Sequence, residues 1–157
     1  MKLTEILKID KIKIDFKGIT KEEIINEMID LFKDDERVTD IETIRSVVLE
    51  REKIMSTGVG NGFAIPHGKT NMVREMVAGF GLLKTPIDFE SIDGEPVNLV
   101  FMLIGKEDSV GQHIKMLSRI SRIMNQKSVR NKLTNASSTE EIFKIFEEEE
   151  SKYLEIS

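Results

Sequence analysis

One histidine in the chain has neighbours that suit covalent chemistry. His67 stands between Pro66 and Gly68, at the end of a short apolar run. Proline fixes the backbone on one side, while glycine removes side-chain bulk on the other and lets a large anion approach the ring. A neutral imidazole is nucleophilic near pH 7, and phosphoryl transfer requires the protein mainly to position groups and neutralise charge. The pattern favours His67 as an exposed nucleophile for phosphate; the alternative is a histidine that serves only a turn or the core.

Three other features could assist such a nucleophile. Arg51 lies just before the glycine-rich segment 56–62, and its guanidinium could bind a phosphoryl group through two hydrogen bonds. Backbone N–H groups of that segment could also point at the phosphate. His113, at the predicted start of a helix, could donate a hydrogen bond to the phosphoryl group or orient the ring of His67. The alternative for His113 is a partly exposed first-turn residue without a role.

Other chemistries fit the glycine-rich segment poorly. A Walker loop ending at Gly68-Lys69-Thr70 and a dinucleotide fingerprint starting at Gly58 both require glycine at position 63, which is Phe63. These glycines also follow a predicted helix, whereas a phosphate-cradling loop follows a strand and opens a helix. A zinc site from the two histidines and a carboxylate is possible, but no metal-ligand spacing supports it.

The elements that must position these residues can be predicted from periodicity and capping patterns. Alternating charged and apolar residues over 11–16 predict a half-buried strand. Capping boxes predict three helix starts, at Thr20 with Glu23, Thr39 with Glu42, and Ser138 with Glu141. The glutamates at 147–150 are interpreted as a solvated helix end.

The middle of the chain alternates between loop and strand signals. Three glycines in five positions predict a loop over 56–62, and a strand is expected from Met76 to Leu83. The most apolar run, Val97 to Ile104, predicts a central strand buried on both faces. A helix with apolar residues three or four apart is expected from Gly111.

Composition limits the classes of protein that remain. The chain has 157 residues, a net charge of -5 and no cysteine. We therefore expect a single domain over residues 1–157, no nucleic-acid partner, and neither disulfides nor thiolate sites. Charges interrupt the apolar residues of the first 16 positions, so we expect no signal peptide, no membrane insertion and a cytoplasmic location.

Several segments together resemble a known family, the enzyme IIA domain of the bacterial phosphoenolpyruvate-dependent sugar phosphotransferase system, fructose and mannitol class, which includes nitrogen-regulatory relatives. The similar segments are Leu49-Glu50-Arg51-Glu52, residues 57–62, residues 64–70, residues 84–89, Asp93-Gly94-Glu95-Pro96-Val97 and Gly111-Gln112-His113. The resemblance spans essentially the whole chain. Phe63 departs from it, because the family commonly has a smaller aliphatic residue there.

The resemblance implies both a fold and a function. The fold is α/β, a mixed sheet with helices on both faces. His67 takes phosphate from the phosphorylated histidine carrier protein and gives it to a cysteine of a IIB partner, with His113 as second active-site histidine and Arg51 stabilising phosphate. No metal or cofactor is expected, and a membrane is reached only through a permease. The alternatives are a regulatory protein controlled by phosphorylation of His67, and a small-molecule binding module that has lost the chemistry.

Overall fold

The computed structural model describes residues 1–156. Six helices are formed by α1 (Leu3–Ile6), α2 (Lys21–Asp30), α3 (Ile41–Ile54), α4 (Val110–Met124), α5 (Lys127–Thr134) and α6 (Thr139–Ile156). Six strands are formed by β1 (Leu7–Lys13), β2 (Gly58–Gly60), β3 (Phe63–Ala64), β4 (His67–Lys69), β5 (Val77–Ile87) and β6 (Val97–Gly105). None of these helices combines the length and the apolar character needed to span a bilayer.

The strands form one mixed sheet in the order β1-β5-β6-β3-β2. The long strands β5 and β6 are antiparallel, whereas β1 runs parallel to β5 and β3 runs parallel to β6. Strand β4 also pairs in parallel with β6, further along the same edge as β3. The short strands β3 and β4 therefore follow one another beside β6, and residues 65–66 lie between them.

Helices cover both faces of this sheet, as the resemblance implied. On one face, Phe80 and Phe101 pack in the cluster that includes residues of α4, α5 and α6, and Phe146 meets both rings edge-on. On the other, Val100 and Met102 pack in the cluster formed with α2 and α3. Strand β6 is buried almost throughout, which confirms the prediction of a central strand covered on both sides.

The predicted helix starts are confirmed in two cases and shifted by one residue in the third. Ser138 precedes α6, and its hydroxyl accepts the backbone N–H of Glu141 at 3.1 Å. Thr20 caps α2 and forms the expected reciprocal capping box with Glu23. The second helix is capped by Asp40, whose carboxylate accepts the backbone N–H groups of residues 42 and 43. Thr39 is not the cap, because its hydroxyl donates to the carbonyl of Met72. The strand predicted over 11–16 is β1, which begins four residues earlier and ends at Lys13.

The prediction of a solvated helix end over 147–150 is wrong for two of the four glutamates. Glu149 and Glu150 are 2% and 1% exposed. The carboxylate of Glu150 accepts the backbone N–H groups of Leu3 and Thr4, and the guanidinium of Arg119 donates to it from 3.3 Å. Charge alone predicted solvent exposure, whereas α1 supplies unpaired N–H groups that need a carboxylate partner.

Candidate functional site

The glycine-rich segment is a β-hairpin rather than the predicted loop. Strands β2 and β3 pair in antiparallel fashion, and Asn61 and Gly62 form the turn between them. Both turn residues have positive φ, +58° and +82°, as a two-residue hairpin turn of this kind requires. The dipeptide Asn61-Gly62 is a typical hairpin turn sequence, and it could have indicated a hairpin here in place of the predicted loop.

Two N–H groups of this segment, and that of Ile65 just after the hairpin, already have partners. The N–H of Gly58 donates to the hydroxyl of Ser56, and that of Asn61 donates to the carboxylate of Asp93, both at 3.0 Å. The N–H of Ile65 donates to the carbonyl of Thr57, also at 3.0 Å. These bonds stabilise the hairpin, so the N–H groups of Gly58, Asn61 and Ile65 are not free to donate to a phosphoryl group.

His67 is the first residue of β4 and is half-buried. Its Nδ1 lies 2.8 Å from the carbonyl oxygen of Ile65. Because a carbonyl can only accept a hydrogen bond, Nδ1 carries the proton and donates it. The neutral ring then has its lone pair on Nε2, so Nε2 is the nucleophilic nitrogen.

The surroundings of His67 keep its ring neutral. Burial is the largest effect and lowers the pKa of His67, and the positive charges of Arg51 and Lys69 lower it further. The hydrogen bond to Ile65 and the negative charge of Glu52 act in the opposite direction, but the net pKa stays below the usual histidine value. A neutral, nucleophilic imidazole therefore predominates at pH 7.

His113 lies beside His67, in the first turn of α4. The two ring centroids are 5.7 Å apart and the ring planes are inclined by 50°. His113 is only 3% exposed, so the alternative of a partly exposed residue is wrong. Burial, with smaller effects from the charges of His67 and Lys69, lowers the pKa of His113 to about 4. Neither ring nitrogen has a hydrogen-bond partner among the described residues.

Two glycines allow this close packing. A Cβ at Gly105 would come within 2.6 Å of Nδ1 of His113, so glycine there makes room for the second ring. A Cβ at Gly68 would come within 2.7 Å of Cγ1 of Val47 in α3. The sequence suggested that Gly68 clears a path for an anion, whereas the structure shows that it lets α3 approach β4.

Arg51 lies in the last turn of α3. Its Nη1 donates to the carbonyl of Met55 over 2.8 Å, and this bond ties the side chain to the end of its own helix. Its charge lowers the pKa of His67. The structure therefore brings all three predicted residues, His67, His113 and Arg51, into one region.

Lys69 and Glu52 also contribute to this region, and neither was predicted from the sequence. Lys69 lowers the pKa of both histidines. Its position two residues after His67 on a strand, and hence on the same face, was a signal that could have identified it. Glu52 is 6% exposed, and its charge also reaches His67. No local pattern predicted its burial, because the burial depends on how α3 meets the hairpin.

The arrangement suits nucleophilic attack by Nε2 of His67 on an electrophilic phosphorus, with cations nearby to attract the anion. Among the side chains that the structure describes, residues 1–153, no three histidines, aspartates or glutamates are grouped so that they could hold a metal ion.

Comparisons of sequence assign the chain to known relatives. Residues 5–149 match the family described as phosphoenolpyruvate-dependent sugar phosphotransferase system, EIIA 2. The chain is 37% identical over 145 residues to the fructose-specific EIIABC component of Bacillus subtilis. That alignment covers 92% of this chain and 23% of the relative, so the chain spans about a quarter of that protein's length.

Comparisons of structure agree with the sequence match. The crystal structure of the nitrogen regulatory protein IIA-Ntr from Neisseria meningitidis superposes with a TM-score of 0.85 at 34% identity, covering 90% of this chain and 97% of that one. The Escherichia coli enzyme IIA for mannitol, solved in complex with phosphorylated enzyme IIB, has the same fold. Its TM-score is 0.77 at 21% identity, with 90% of this chain and 98% of that one covered.

Proposed function

Because the chain belongs to the EIIA 2 family of the phosphoenolpyruvate-dependent sugar phosphotransferase system, we propose that it is a phosphoryl carrier, with residues 1–157 as one domain of this type. Nε2 of His67 accepts a phosphoryl group from the phosphorylated histidine carrier protein. The group then passes to a cysteine of a IIB partner during uptake of a sugar of the fructose or mannitol type. The protein acts in the cytoplasm and reaches a membrane only through a permease.

One observation carries this proposal, namely the hydrogen bond from Nδ1 of His67 to the carbonyl of Ile65. The lone pair of Nε2 forms the new N–P bond as the N–P bond of the donor phosphohistidine breaks, and the donor imidazole leaves. Nδ1 keeps its proton, which remains shared with Ile65 throughout the step. Transfer through a loose transition state requires little more than this alignment and neutralisation of the equatorial oxygens.

The other two site residues have distinct proposed roles. Arg51 neutralises charge on the phosphoryl oxygens through its guanidinium. His113 donates a hydrogen bond to the phosphoryl group from a ring that has no partner among the described residues. Both act on the group that is transferred, and neither accepts the phosphate itself.

A regulatory role is the second candidate. The structural relative from Neisseria meningitidis is a nitrogen regulatory protein, and 97% of its length is covered. In this role the phosphorylation state of His67 governs binding to target proteins. The chemistry at His67 is the same as in the first candidate, so the two differ only in what receives or senses the phosphoryl group.

The proposal is tested by incubating the protein with phosphoenolpyruvate, enzyme I and the histidine carrier protein and then measuring its intact mass. We expect one added phosphoryl group that is lost in acid, as a phosphoramidate should be. The variant His67→Ala should gain none, and labelling of this variant to the wild-type extent would contradict the assignment. Rapid dephosphorylation by an added IIB protein favours transport, whereas phosphorylation-dependent binding without phosphate loss favours regulation.

A further inference from the structure

The carboxylate of Glu52 is hydrogen-bonded to Thr57, just before the hairpin begins. Glu52 lies in the last turn of α3, one residue after Arg51. Both of its carboxylate oxygens lie 3.0 Å from the backbone nitrogen of Thr57, and Oε1 also accepts the Thr57 hydroxyl at 3.0 Å. Thr57 is itself 4% exposed. A buried carboxylate with this many bonds to one residue fixes that residue firmly.

Backbone hydrogen bonds continue from Thr57 to the ring of His67. The carbonyl of Thr57 accepts the N–H of Ile65 at 3.0 Å, and the carbonyl of Ile65 accepts Nδ1–H of His67 at 2.8 Å. Glu52 therefore connects to the imidazole through two intervening residues. The final bond of this chain selects the tautomer that leaves Nε2 unprotonated.

We infer that Glu52 is a positioning residue that holds the hairpin so that the carbonyl of Ile65 keeps the proton on Nδ1 of His67. The inference rests on the proposed function for its consequence, which is the rate of phosphoryl transfer. Because Arg51 lies on the same turn of α3, Glu52 also fixes the hairpin relative to the guanidinium. A displacement of about 1 Å in such a site can cost roughly a hundredfold in rate.

A carboxylate is needed at this position because of the donors that surround it. Thr57 presents an N–H and a hydroxyl, and the ammonium of Lys21 lies 3.1 Å from Oε1. An ionised carboxylate only accepts hydrogen bonds, whereas the amide of glutamine brings two N–H donors into the same space. The substitution Glu52→Gln therefore keeps the shape and removes part of the hydrogen-bonding function.

Two control variants separate positioning from general stability. Glu50→Gln changes the neighbouring exposed glutamate, whose carboxylate pairs with Lys53 at 3.2 Å. Lys21→Met removes the ion pair with Glu52 but leaves its bonds to Thr57 in place. Loss of the ion pair can lower stability in Lys21→Met and in Glu52→Gln alike, whereas only the second variant loosens Thr57.

The test measures the tautomer of His67 by ¹⁵N NMR on histidine-labelled protein, with amide spectra to check folding. Comparison with the spectrum of His113→Ala shows which ring signals belong to His67 and which to His113. We expect wild type, Glu50→Gln and Lys21→Met to carry the proton on Nδ1. Glu52→Gln should show a mixture of His67 tautomers, and its rate of phosphate acceptance should be lower than that of wild type by about tenfold or more. A wild-type tautomer in Glu52→Gln, with or without a rate loss, overturns the inference, as does an equal shift in Lys21→Met.

The tautomer measurement does not depend on the proposed function, whereas the rate measurement does. If wild-type protein accepts no phosphoryl group, the carrier function fails, while the tautomer comparison still decides the role of Glu52. If Glu52→Gln does not fold, Thr57→Val replaces it, because this variant removes the hydroxyl bond and retains the backbone N–H. A partial shift of the tautomer in Thr57→Val supports the inference, and an unchanged tautomer overturns it.

Discussion

The rings of His67 and His113 lie 5.7 Å apart, centroid to centroid, with their planes inclined by 50°. One ring has its Nδ1 bound to a carbonyl of the hairpin, and the other has no hydrogen-bond partner among the described residues. Burial lowers the pKa of both. Two adjacent neutral imidazoles therefore differ in their hydrogen bonding, because only His67 has its tautomer fixed by a partner.

The variant His113→Ala should still accept a phosphoryl group but pass it on more slowly. Removing one donor to a developing charge costs about a hundredfold or more in established cases, and we expect a loss of roughly tenfold to a hundredfold here. The measurement is the rate of phosphate loss from the isolated phosphoprotein after addition of a IIB protein. An unchanged rate of onward transfer would remove His113 from the site.

Substitutions of Arg51 should separate charge from hydrogen-bond geometry. We expect Arg51→Gln to accept phosphate about a hundredfold more slowly, and Arg51→Lys to lie between this variant and wild type. Rates of phosphorylation by the histidine carrier protein provide the measurement. Lys53→Gln is the matched control, since Lys53 lies on the same turn with a 72% exposed side chain. Equal rates for Arg51→Gln and Lys53→Gln would exclude the proposed role of Arg51.

Acid should destabilise the protein partly through His113. Its pKa is about 4 in the folded protein against 6.5 as the ordinary value, so the unfolded state binds the proton first as pH falls. The resulting decrease in the free energy of unfolding is absent well above pH 6.5. It grows as pH falls towards 4 and reaches about 2 kcal/mol at pH 5. His67, whose pKa is also lowered, adds a cost of the same sign.

Denaturant unfolding of wild type and His113→Gln at pH 7 and pH 5 measures this effect. The difference in unfolding free energy between the two proteins should shift by about 2 kcal/mol in favour of His113→Gln on going to pH 5. A difference that is the same at both pH values would mean that His113 keeps an ordinary pKa in the folded protein.

A methyl group at position 68 should destabilise the fold through one contact. Because a Cβ at Gly68 would lie 2.7 Å from Cγ1 of Val47, we expect Gly68→Ala to lower the unfolding free energy by about 1 to 3 kcal/mol. In a Val47→Ala background, Gly68→Ala should lower the unfolding free energy by much less. A double-mutant cycle of denaturant unfolding gives the coupling, and an equal cost in both backgrounds would contradict the steric explanation.

The sequence predicted the large elements well because their signals are local. The run from Val97 to Ile104 is apolar at every position but one, and a strand covered on both faces buries nearly all of it. Thr20 and Glu23 satisfy each other within one helical turn, so their capping box needs nothing from the rest of the chain.

Features that depend on distant partners were not predictable in this way. Glu149 and Glu150 belong to an acidic run, and their burial requires partners from other elements, such as the N–H groups of Leu3 and Thr4. Gly68 has a role only because Val47 of α3 faces it. The candidate site shows the same division, since His67 was evident from its neighbours while the contacts of Glu52 require the folded hairpin.

Every role proposed for this site depends on a phosphoryl group at Nε2 of His67, and ¹⁵N and ³¹P NMR of the phosphorylated, histidine-labelled protein identifies the atom that carries it. We predict coupling between phosphorus and Nε2 of His67, with the proton retained on Nδ1 and no phosphorus bound to His113. Phosphorus on Nδ1 of His67, on His113 or on a residue other than histidine would exclude Nε2 of His67 as the acceptor.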